Sequence, residues 1–327
     1  MDVGFVGLGT MGAPMAANLQ RAGHRLIVTD INRNAAAPFI AEGAVWADSP
    51  GRVAEQVEVV FASLPGPPEV KAVALGADGI LSGMKPGSIH VDLSTNAPAQ
   101  VRALHEAYTA RGAHFLDAPV SGGPQGAKNG TLAVWVGGDK DAYTRAEPLI
   151  RCIGDEIRFL EGVGAGSVAK LVHNSALYAM FAVMGEAFSL GVKAGVDPLD
   201  LFDAVRVGAL GRKPVFQYLL DQYLPGKFDP PAFALRLAHK DVALASALGR
   251  EVGVPLRLIN MTLEEMTEAM ARGWDGRDSR SAMLLQQERA NISIKVDSEK
   301  LHRFRDDPKT SRSPVEAREN TKATVDR

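Results

Sequence analysis

The stretch that decides the fold of the N-terminal half is Val3-Gly4-Phe5-Val6-Gly7-Leu8-Gly9-Thr10-Met11-Gly12. Its apolar beginning predicts a short buried strand, and the residues after it predict a helix. In a strand, glycine turn and helix of this kind, Gly7 permits a tight turn, Gly9 lets a pyrophosphate approach the backbone, and Gly12 lets the helix pack closely on the strand. The stretch therefore predicts a dinucleotide-binding domain. The cofactor contacts predicted on the turn are Gly7, Leu8, Gly9, Thr10, Met11 and Gly12.

A second predicted strand, residues 25–29, ends in an acidic residue, Asp30. Asp30 follows Gly12 by 18 positions (30 minus 12), near the spacing of roughly 20 at which an acid meets the adenosine ribose hydroxyls. A carboxylate there repels the 2′-phosphate of NADP and accepts hydrogen bonds from the free hydroxyls of NAD. NAD is therefore the predicted cofactor, although Asn32 and Arg33 follow closely and leave use of NADP open.

Strands and helices continue to alternate along the first half, with further strands predicted at 57–61, 88–92, 114–117 and 132–136. This alternation predicts an α/β domain with a doubly wound, largely parallel sheet and helices on both faces. Ligands of such sheets bind beyond the carboxyl ends of the strands. Leu64, Pro65 and Thr95 lie at such ends and are predicted cofactor contacts. Ser94 and Asn96 lie there too, but they suit helix capping as well as ligand contact.

A second glycine-rich segment, Ser121-Gly122-Gly123, follows the strand predicted to end at Asp117. A glycine pair beside a serine hydroxyl can turn several backbone N–H groups toward one carboxylate. The same residues also suit a plain turn, so the sequence leaves both interpretations open.

The apolar, proline-free segment from Ala165 to Ala194 predicts one helix of about eight turns, long enough to pass between domains. Lys170 and Asn174 are one turn apart and share a face of it. A lysine near a helix N-terminus meets the positive end of the dipole, which lowers its pKa and suits it to act as a general acid or base. The alternative is a solvated surface lysine.

Length and composition bound the class of protein. The 327 residues suggest two domains, and 36 basic against 38 acidic residues give no electrostatic basis for binding nucleic acid or an anionic membrane. Cys152 is the only cysteine, so no intramolecular disulfide forms. No uninterrupted apolar run approaches the ~20 residues that span a bilayer. We expect a cytoplasmic protein without a signal peptide or a metal site.

The second half is predicted to be helical. Asp197 and Pro198 suit an N-cap followed by proline in the first turn, and helices are predicted at about 198–207, 232–252 and 255–272. The expected domains are a dinucleotide-binding domain (1–163), an all-helical substrate and dimerisation domain (164–291) that begins with the long interdomain helix 165–194, and a polar, flexible tail (292–327). Arg212 and Lys213 suit either the far end of a substrate or a solvated basic pair.

Four segments, 4–19, 117–132, 164–174 and 239–245, occur with an order and spacing that resemble the β-hydroxyacid dehydrogenase family. This family includes 3-hydroxyisobutyrate dehydrogenases and tartronate semialdehyde reductases. The resemblance implies that Ser121, Gly122 and Gly123 hold the substrate carboxylate. It also implies that Lys170 is the general acid or base and that Asn174 orients the substrate hydroxyl or that lysine. Lys240 would lie near the nicotinamide.

The resemblance also implies an activity: NAD-dependent oxidation of a small 3-hydroxy acid, with 3-hydroxyisobutyrate as the reference substrate, to the semialdehyde or keto acid. Tartronate semialdehyde, threonate and serine-like acids are alternative substrates that the sequence does not separate. A non-catalytic NAD-binding protein is the alternative from another class. A homo-oligomer, either a dimer or a tetramer, is implied by the resemblance alone.

Overall fold

The computed structural model describes residues 1–212 and 219–306. The chain divides into two compact units, Met1–Leu177 and Tyr178–Arg327. The predicted border between residues 163 and 164 marks the start of the long helix, whereas the division between the units falls inside that helix.

The first unit contains a nine-stranded sheet. Its strands are β1 (Asp2–Val6), β2 (Arg25–Thr29), β3 (Val45–Trp46), β4 (Val59–Ala62), β5 (Ile89–Asp92), β6 (His114–Asp117), β7 (Val120–Ser121), β8 (Leu132–Gly138) and β9 (Gly154–Glu161). They lie in the order β3-β2-β1-β4-β5-β6-β8-β7, and β9 pairs with β8. Strands β1 to β6 are all parallel, and β8 runs antiparallel to β6. The predicted doubly wound, largely parallel sheet is thereby confirmed.

Three strands, β3, β7 and β9, were not predicted from the sequence, and the longest of them is β9. It runs parallel to β8 over residues 154–161. Charged residues such as Glu156 and Arg158 interrupt its apolar positions Ile157 and Phe159, so the segment lacks the continuous apolar run of the inner strands. Its pairing depends on β8, which precedes it by a whole helix.

Helices cover both faces of this sheet. They are α1 (Gly12–Arg21), α2 (Ala37–Ala41), α3 (Pro50–Ala54), α4 (Pro67–Leu75), α5 (Ile80–Gly83), α6 (Pro98–Thr109), α7 (Gly123–Asn129) and α8 (Lys140–Ile150), with a 3-10 turn at Arg33–Ala36. The long helix α9 (Ala165–Lys193) begins in this unit and ends in the second. Successive strand residues point to opposite faces, so Phe5 and Val6 of β1 belong to two different buried apolar clusters. The two clusters fix the sheet between its helical layers.

The second unit is helical in its described residues, as predicted. Beyond α9 it contains α10 (Pro198–Arg206), α11 (Ala209–Arg212), α12 (Leu235–Val252), α13 (Arg257–Ala271), α14 (Leu284–Arg289) and α15 (Ser298–Asp306), with short turns at Leu219–Tyr223 and Ser279–Met283. The N-cap predicted at Asp197 is present, because its carboxylate accepts hydrogen bonds from the N–H groups of Leu199 and Asp200.

The tail predicted to be flexible from residue 292 contains a helix, α15, at residues 298–306. Leu301 is only 8% exposed. The Val296 N–H donates to the Leu224 carbonyl oxygen at 2.8 Å, and the Arg305 guanidinium donates to the Leu220 carbonyl oxygen at 3.0 Å. Composition alone missed these contacts because one apolar anchor and a few backbone bonds order a short polar helix. The rest of the predicted tail, 307–327, lies outside the described residues.

Helix α9 has an unusual surface for its length. Among the described residues it is the one helix that is long and apolar enough, by length and composition, to cross a bilayer, and 6% of its most apolar window is buried. Core helices of soluble proteins also have this length and composition, so these two properties alone do not place α9 in a membrane.

Candidate active site

The glycine turn between β1 and α1 has the shape of a dinucleotide cradle. A Cβ atom added at Gly12 would lie 3.0 Å from the Gly7 carbonyl carbon and closer still to its oxygen, so helix and turn touch there. A Cβ atom at Gly9 would meet nothing within 4 Å. Gly9 and Thr10 are exposed, whereas Leu8 is buried. The turn therefore packs on its inner side and leaves its outer backbone open, which fits a pyrophosphate at the start of α1.

Asp30 follows β2 and is fixed by the same turn. Its Oδ2 accepts a hydrogen bond from the Leu8 N–H at 2.6 Å, and its Oδ1 accepts one from the Asn32 N–H at 2.7 Å. A carboxylate oxygen has more than one acceptor position, so Asp30 retains capacity for ribose hydroxyls. Arg33 lies with its guanidinium carbon 5.1 Å from the centre of the Trp46 ring.

The carboxyl ends of β4 and β5 are joined through Asp92. The Leu64 N–H donates to the Ser94 hydroxyl oxygen at 2.9 Å. The Ser94 N–H and the Asn96 side-chain amide donate to the Asp92 carboxylate at 3.0 and 3.2 Å. Ser94 and Asn96 are buried and bond to Asp92 within the loop. Helix α6 begins after Ala97, which forms no side-chain capping bond, so the capping alternative is not met. Burial raises the pKa of Asp92 to about 6.

The other residues predicted at these strand ends are more open. Leu64 and Thr95 are half-buried and Pro65 is exposed. Their contact with the cofactor stays a prediction, and their position beyond the carboxyl ends of the strands agrees with it.

The second glycine segment forms the connection between β7 and α7. Ser121 is half-buried, and the two glycines after it are exposed. Gly122 has φ 133° and Gly123 has φ 63°, a region of backbone conformation that favours glycine. The segment thus turns sharply at two exposed glycines, a geometry that suits the predicted carboxylate nest and a plain turn alike, so the binding of a carboxylate there stays a prediction.

Lys170 lies directly beside this segment. Its ammonium donates a hydrogen bond to the carbonyl oxygen of Val120 at 2.6 Å, and Val120 precedes Ser121 in the chain. Burial lowers the pKa of Lys170. The direction agrees with the sequence-based expectation, but the cause differs, because Lys170 is in the second turn of α9 and the dipole acts mainly within the first.

Asn174 shares a face of α9 with Lys170 and is partly buried. Its side-chain oxygen lies 3.1 Å from Nδ1 of His173. The His173 ring in turn packs against Trp135 of β8, with ring centres 5.1 Å apart. Asn174 therefore stands on the predicted face, and its role toward the substrate stays a prediction.

Asp117 is a buried residue beside the site that sequence reasoning did not select, although it belongs to a segment quoted for the family resemblance. It is buried at the end of β6. Its Oδ1 accepts from the Gly164 N–H at 3.0 Å and its Oδ2 from the Ser167 N–H at 2.7 Å. Partners so distant in sequence cannot be identified without the structure. A carboxylate at a strand end, ahead of a long helix whose N-cap position is a glycine (Gly164), was the available signal.

Lys240, predicted near the nicotinamide, lies in the second unit on α12. Its side chain is 61% exposed, and its ammonium is 3.0 Å from the Asp241 carboxylate. Arg212 ends α11, and Lys213 lies outside the described residues. The described contacts thus bring Lys170 to Val120, the residue before Ser121, within the first unit, while the role of Lys240 stays a prediction.

Both halves of the chain are similar to known dehydrogenases. Residues 2–162 match the NAD-binding domain of 6-phosphogluconate dehydrogenase, and residues 164–285 match the NAD-binding domain of NADP-dependent 3-hydroxyisobutyrate dehydrogenase. A 3-hydroxyisobutyrate dehydrogenase of Pseudomonas aeruginosa is 38% identical over 78% of this chain and 88% of its own length. A 2-(hydroxymethyl)glutarate dehydrogenase of Eubacterium barkeri is 33% identical over 87% of this chain and 94% of its own.

A crystal structure of 3-hydroxyisobutyrate dehydrogenase from Salmonella typhimurium is similar with a TM-score of 0.59, at 31% identity, over 87% of this chain and 99% of that one. Fold, cradle and relatives together define an NAD- or NADP-dependent dehydrogenase that acts on CH–OH groups. Within that class, the chain belongs to the β-hydroxyacid dehydrogenase family.

Proposed function

We propose that the protein oxidises the primary hydroxyl of a small 3-hydroxy acid of the 3-hydroxyisobutyrate type to the semialdehyde, with NAD as oxidant. The observation that carries the proposal is the position of the Lys170 ammonium, 2.6 Å from the Val120 carbonyl oxygen and beside the open glycine turn that follows it. The proposed proton acceptor and the proposed carboxylate-binding turn are thus close together in one unit, an arrangement that supports a hydroxy acid as substrate.

The names of the relatives support the substrate class. One acts on 3-hydroxyisobutyrate and the other on 2-(hydroxymethyl)glutarate. Both acids contain a hydroxymethyl group on the carbon next to a carboxylate, and they differ in the remaining substituent. The shared part matches a site that holds one carboxylate at residues 121–123 and accepts one proton at Lys170.

In the proposed mechanism the N–H groups of residues 121–123 and the Ser121 hydroxyl bind the substrate carboxylate. Lys170, as the neutral amine, accepts the proton of the substrate hydroxyl, and burial favours that form. The Val120 carbonyl oxygen accepts an N–H from the amine and so fixes the direction of its lone pair. The cofactor supplies the hydride acceptor. Alcohol and NAD⁺ become aldehyde, NADH and one proton, which leaves through Lys170.

The preference for NAD rests on Asp30. Its carboxylate is held in place by two backbone N–H groups at the end of β2, where it would accept ribose hydroxyls and repel a 2′-phosphate. Asp30→Ser is expected to lower the ratio of kcat/KM for NAD to kcat/KM for NADP. An unchanged ratio would remove Asp30 from the proposal.

The decisive experiment follows NADH formation across a panel of 3-hydroxy acids for the wild type, Lys170→Ala and Lys128→Ala. Lys128 is an exposed lysine on α7 and serves as the matched control. Loss of an acid or base group typically lowers the rate by about 10²–10⁴. We expect a loss of this size for Lys170→Ala with NAD affinity retained, and wild-type rates for Lys128→Ala. Equal rates in all three proteins would refute the role of Lys170.

The same panel separates the alternatives. Faster reduction of tartronate semialdehyde than oxidation of any hydroxy acid would favour a reductase. Fastest oxidation of threonate or serine would instead identify that acid as the substrate type. Binding of NAD without turnover of any substrate would favour the non-catalytic alternative.

We further propose that the protein is a cytoplasmic homo-oligomer in which copies cover the apolar surface of α9. Val172, Tyr178 and Phe181 are each at least 60% exposed on this helix, and large exposed apolar side chains of this kind are typical of contact sites. Light scattering should give a dimer or tetramer, and Phe181→Glu should shift it toward the monomer. Recovery of the wild type in the membrane pellet would contradict the proposal.

A further inference from the structure

We propose that Asp117 is a positioning residue for Lys170, because its buried carboxylate fixes the first turn of α9 against the end of β6. The inference rests on the proposed role of Lys170 and adds a residue that acts through the helix without touching substrate or cofactor.

The contacts of Asp117 span the start of the helix. One oxygen accepts the Gly164 N–H at 3.0 Å and the other accepts the Ser167 N–H at 2.7 Å. Asp117 is 1% exposed and Ser167 is equally buried, so water does not compete for these bonds. The first N–H groups of a helix have no partner inside the helix, and a carboxylate there is stabilised by the dipole as well.

Two glycines make this close approach possible. A Cβ atom at Gly137, the β8 residue opposite Asp117, would lie 2.5 Å from the Asp117 carboxylate and 2.9 Å from the Gly166 backbone nitrogen. A Cβ atom at Gly166 would lie 2.6 Å from the Asp117 carbonyl oxygen and nearer still to the Trp135 carbonyl oxygen. Strand and helix backbones are therefore in direct contact, and the junction has no space for adjustment.

Lys170 is reached from this junction in one helical turn. It follows Ser167 by three residues, so it lies on the same side of α9, roughly 4.5 Å further along the axis. Val120, which accepts the Lys170 ammonium, follows Asp117 by three residues. The connection from β6 to β7 therefore holds α9 at two points, first at the backbone through Asp117 and then at the lysine through Val120.

These two attachments determine the position of Lys170 along the axis of α9, beside residues 120–121, and how deeply the lysine is buried. A displacement of the helix start by about 1 Å would disturb a catalytic geometry enough to cost on the order of 10² in rate. It would also admit water to the ammonium, and the pKa that burial lowers would return toward its ordinary value. The first effect is a loss of rate, and the second is a shift in pH dependence.

The groups that face Asp117 affect how a variant behaves. Asp92 is its neighbour across β5 and β6, and burial raises the pKa of both carboxyls. The backbone N–H groups of Gly164 and Ser167 oppose that shift for Asp117. Asp117→Asn has almost the same volume but keeps one acceptor oxygen, so one of the two N–H groups would face an amide N–H.

The experiment measures the pH profile of kcat/KM for oxidation, the NAD dissociation constant and the melting temperature of the wild type and three variants. Asp117→Asn changes the carboxylate, and Gly166→Ala changes the same junction while the carboxylate stays intact. Gly83→Ala is the matched control, because a Cβ atom there would lie 2.8 Å from the Gly51 carbonyl carbon, in the contact between α5 and α3.

We expect Asp117→Asn and Gly166→Ala to lower kcat by roughly 10- to 100-fold and to move the acid limb of the profile to higher pH, with NAD affinity kept within about twofold. Gly83→Ala should lower the melting temperature and leave the limb in place. Should Asp117→Asn fold poorly, Gly166→Ala alone decides the question.

Variants that lower the melting temperature like Gly83→Ala, with an unmoved acid limb and wild-type kcat, would overturn the positioning role and leave Asp117 as a structural cap. Lys170→Ala distinguishes this failure from failure of the proposed function. Full turnover in Lys170→Ala overturns both inferences, whereas collapsed turnover there with an unmoved limb in the junction variants overturns only this one.

Discussion

Alanine at Gly9 should weaken NAD binding and alanine at Gly12 should lower stability, although the two residues belong to one turn. At Gly12 the new methyl group would lie 3.0 Å from the Gly7 carbonyl carbon and nearer to its oxygen, against about 3.5–4.0 Å for an ordinary contact. The start of α1 must then move away from the turn. Overpacking of this kind costs about 1–3 kcal/mol. For a unit of this size each kcal/mol shifts the melting temperature by about 2–4 °C, so a decrease of roughly 2–12 °C is expected.

At Gly9 the added methyl group meets nothing within 4 Å, so the folded protein should keep or slightly raise its melting temperature, since alanine restricts the unfolded chain. The methyl group would instead occupy the side from which a pyrophosphate approaches. We expect NAD to bind more weakly by about tenfold or more, equivalent to about 1.4 kcal/mol.

Thermal unfolding by circular dichroism and NAD titration by calorimetry measure the two effects separately. Gly9→Ala should change only the titration, and Gly12→Ala should change the melting curve first. A destabilised Gly9→Ala with normal NAD affinity, or a Gly12→Ala with the wild-type melting temperature, would refute the division of roles within the turn.

Two further predictions concern stability. The pKa of Asp92 is raised to about 6, above its unfolded value, so its stabilising contribution is present at low pH and lost as pH rises through about 6. Relative to Asp92→Asn, the wild type should gain up to about 3 kcal/mol between about pH 7 and pH 4 in urea unfolding, and a constant difference would argue against a buried, protonatable carboxyl. Leu301→Ala should cost about 2 kcal/mol and increase amide exchange across 298–306, and unchanged exchange there would show that Leu301 does not anchor α15.

The part of the site that follows from the sequence is the part made by neighbours along the chain. The glycine turn could be assigned from the order of strand, glycines and helix, and Asp30 from its spacing to that turn. Lys170 and Asn174 could be placed on one helix face from their separation alone. In each case the geometry depends on a local backbone rule, so no knowledge of the distant fold is needed.

What the sequence could not supply depends on register between distant segments. Asp117 was missed because its partners at the start of α9 follow it by 47 and 50 residues. Burial, which lowers the pKa of Lys170, arises from packing that no local pattern records, and the sequence therefore suggested the helix dipole as the cause. The pairing of β9 and the ordering of α15 depend on contacts of the same distant kind.

The sequence by itself thus determined the class of fold, the cofactor cradle and the helix that holds Lys170, because periodicity and glycine placement act within a few residues of the chain. Only the tertiary structure decided how that helix is seated, how deeply Lys170 is buried and which carbonyl oxygen it meets. These properties arise where β6, β8 and the start of α9 come into backbone contact, and the free energy of such a contact belongs to the assembled unit and to none of its segments alone.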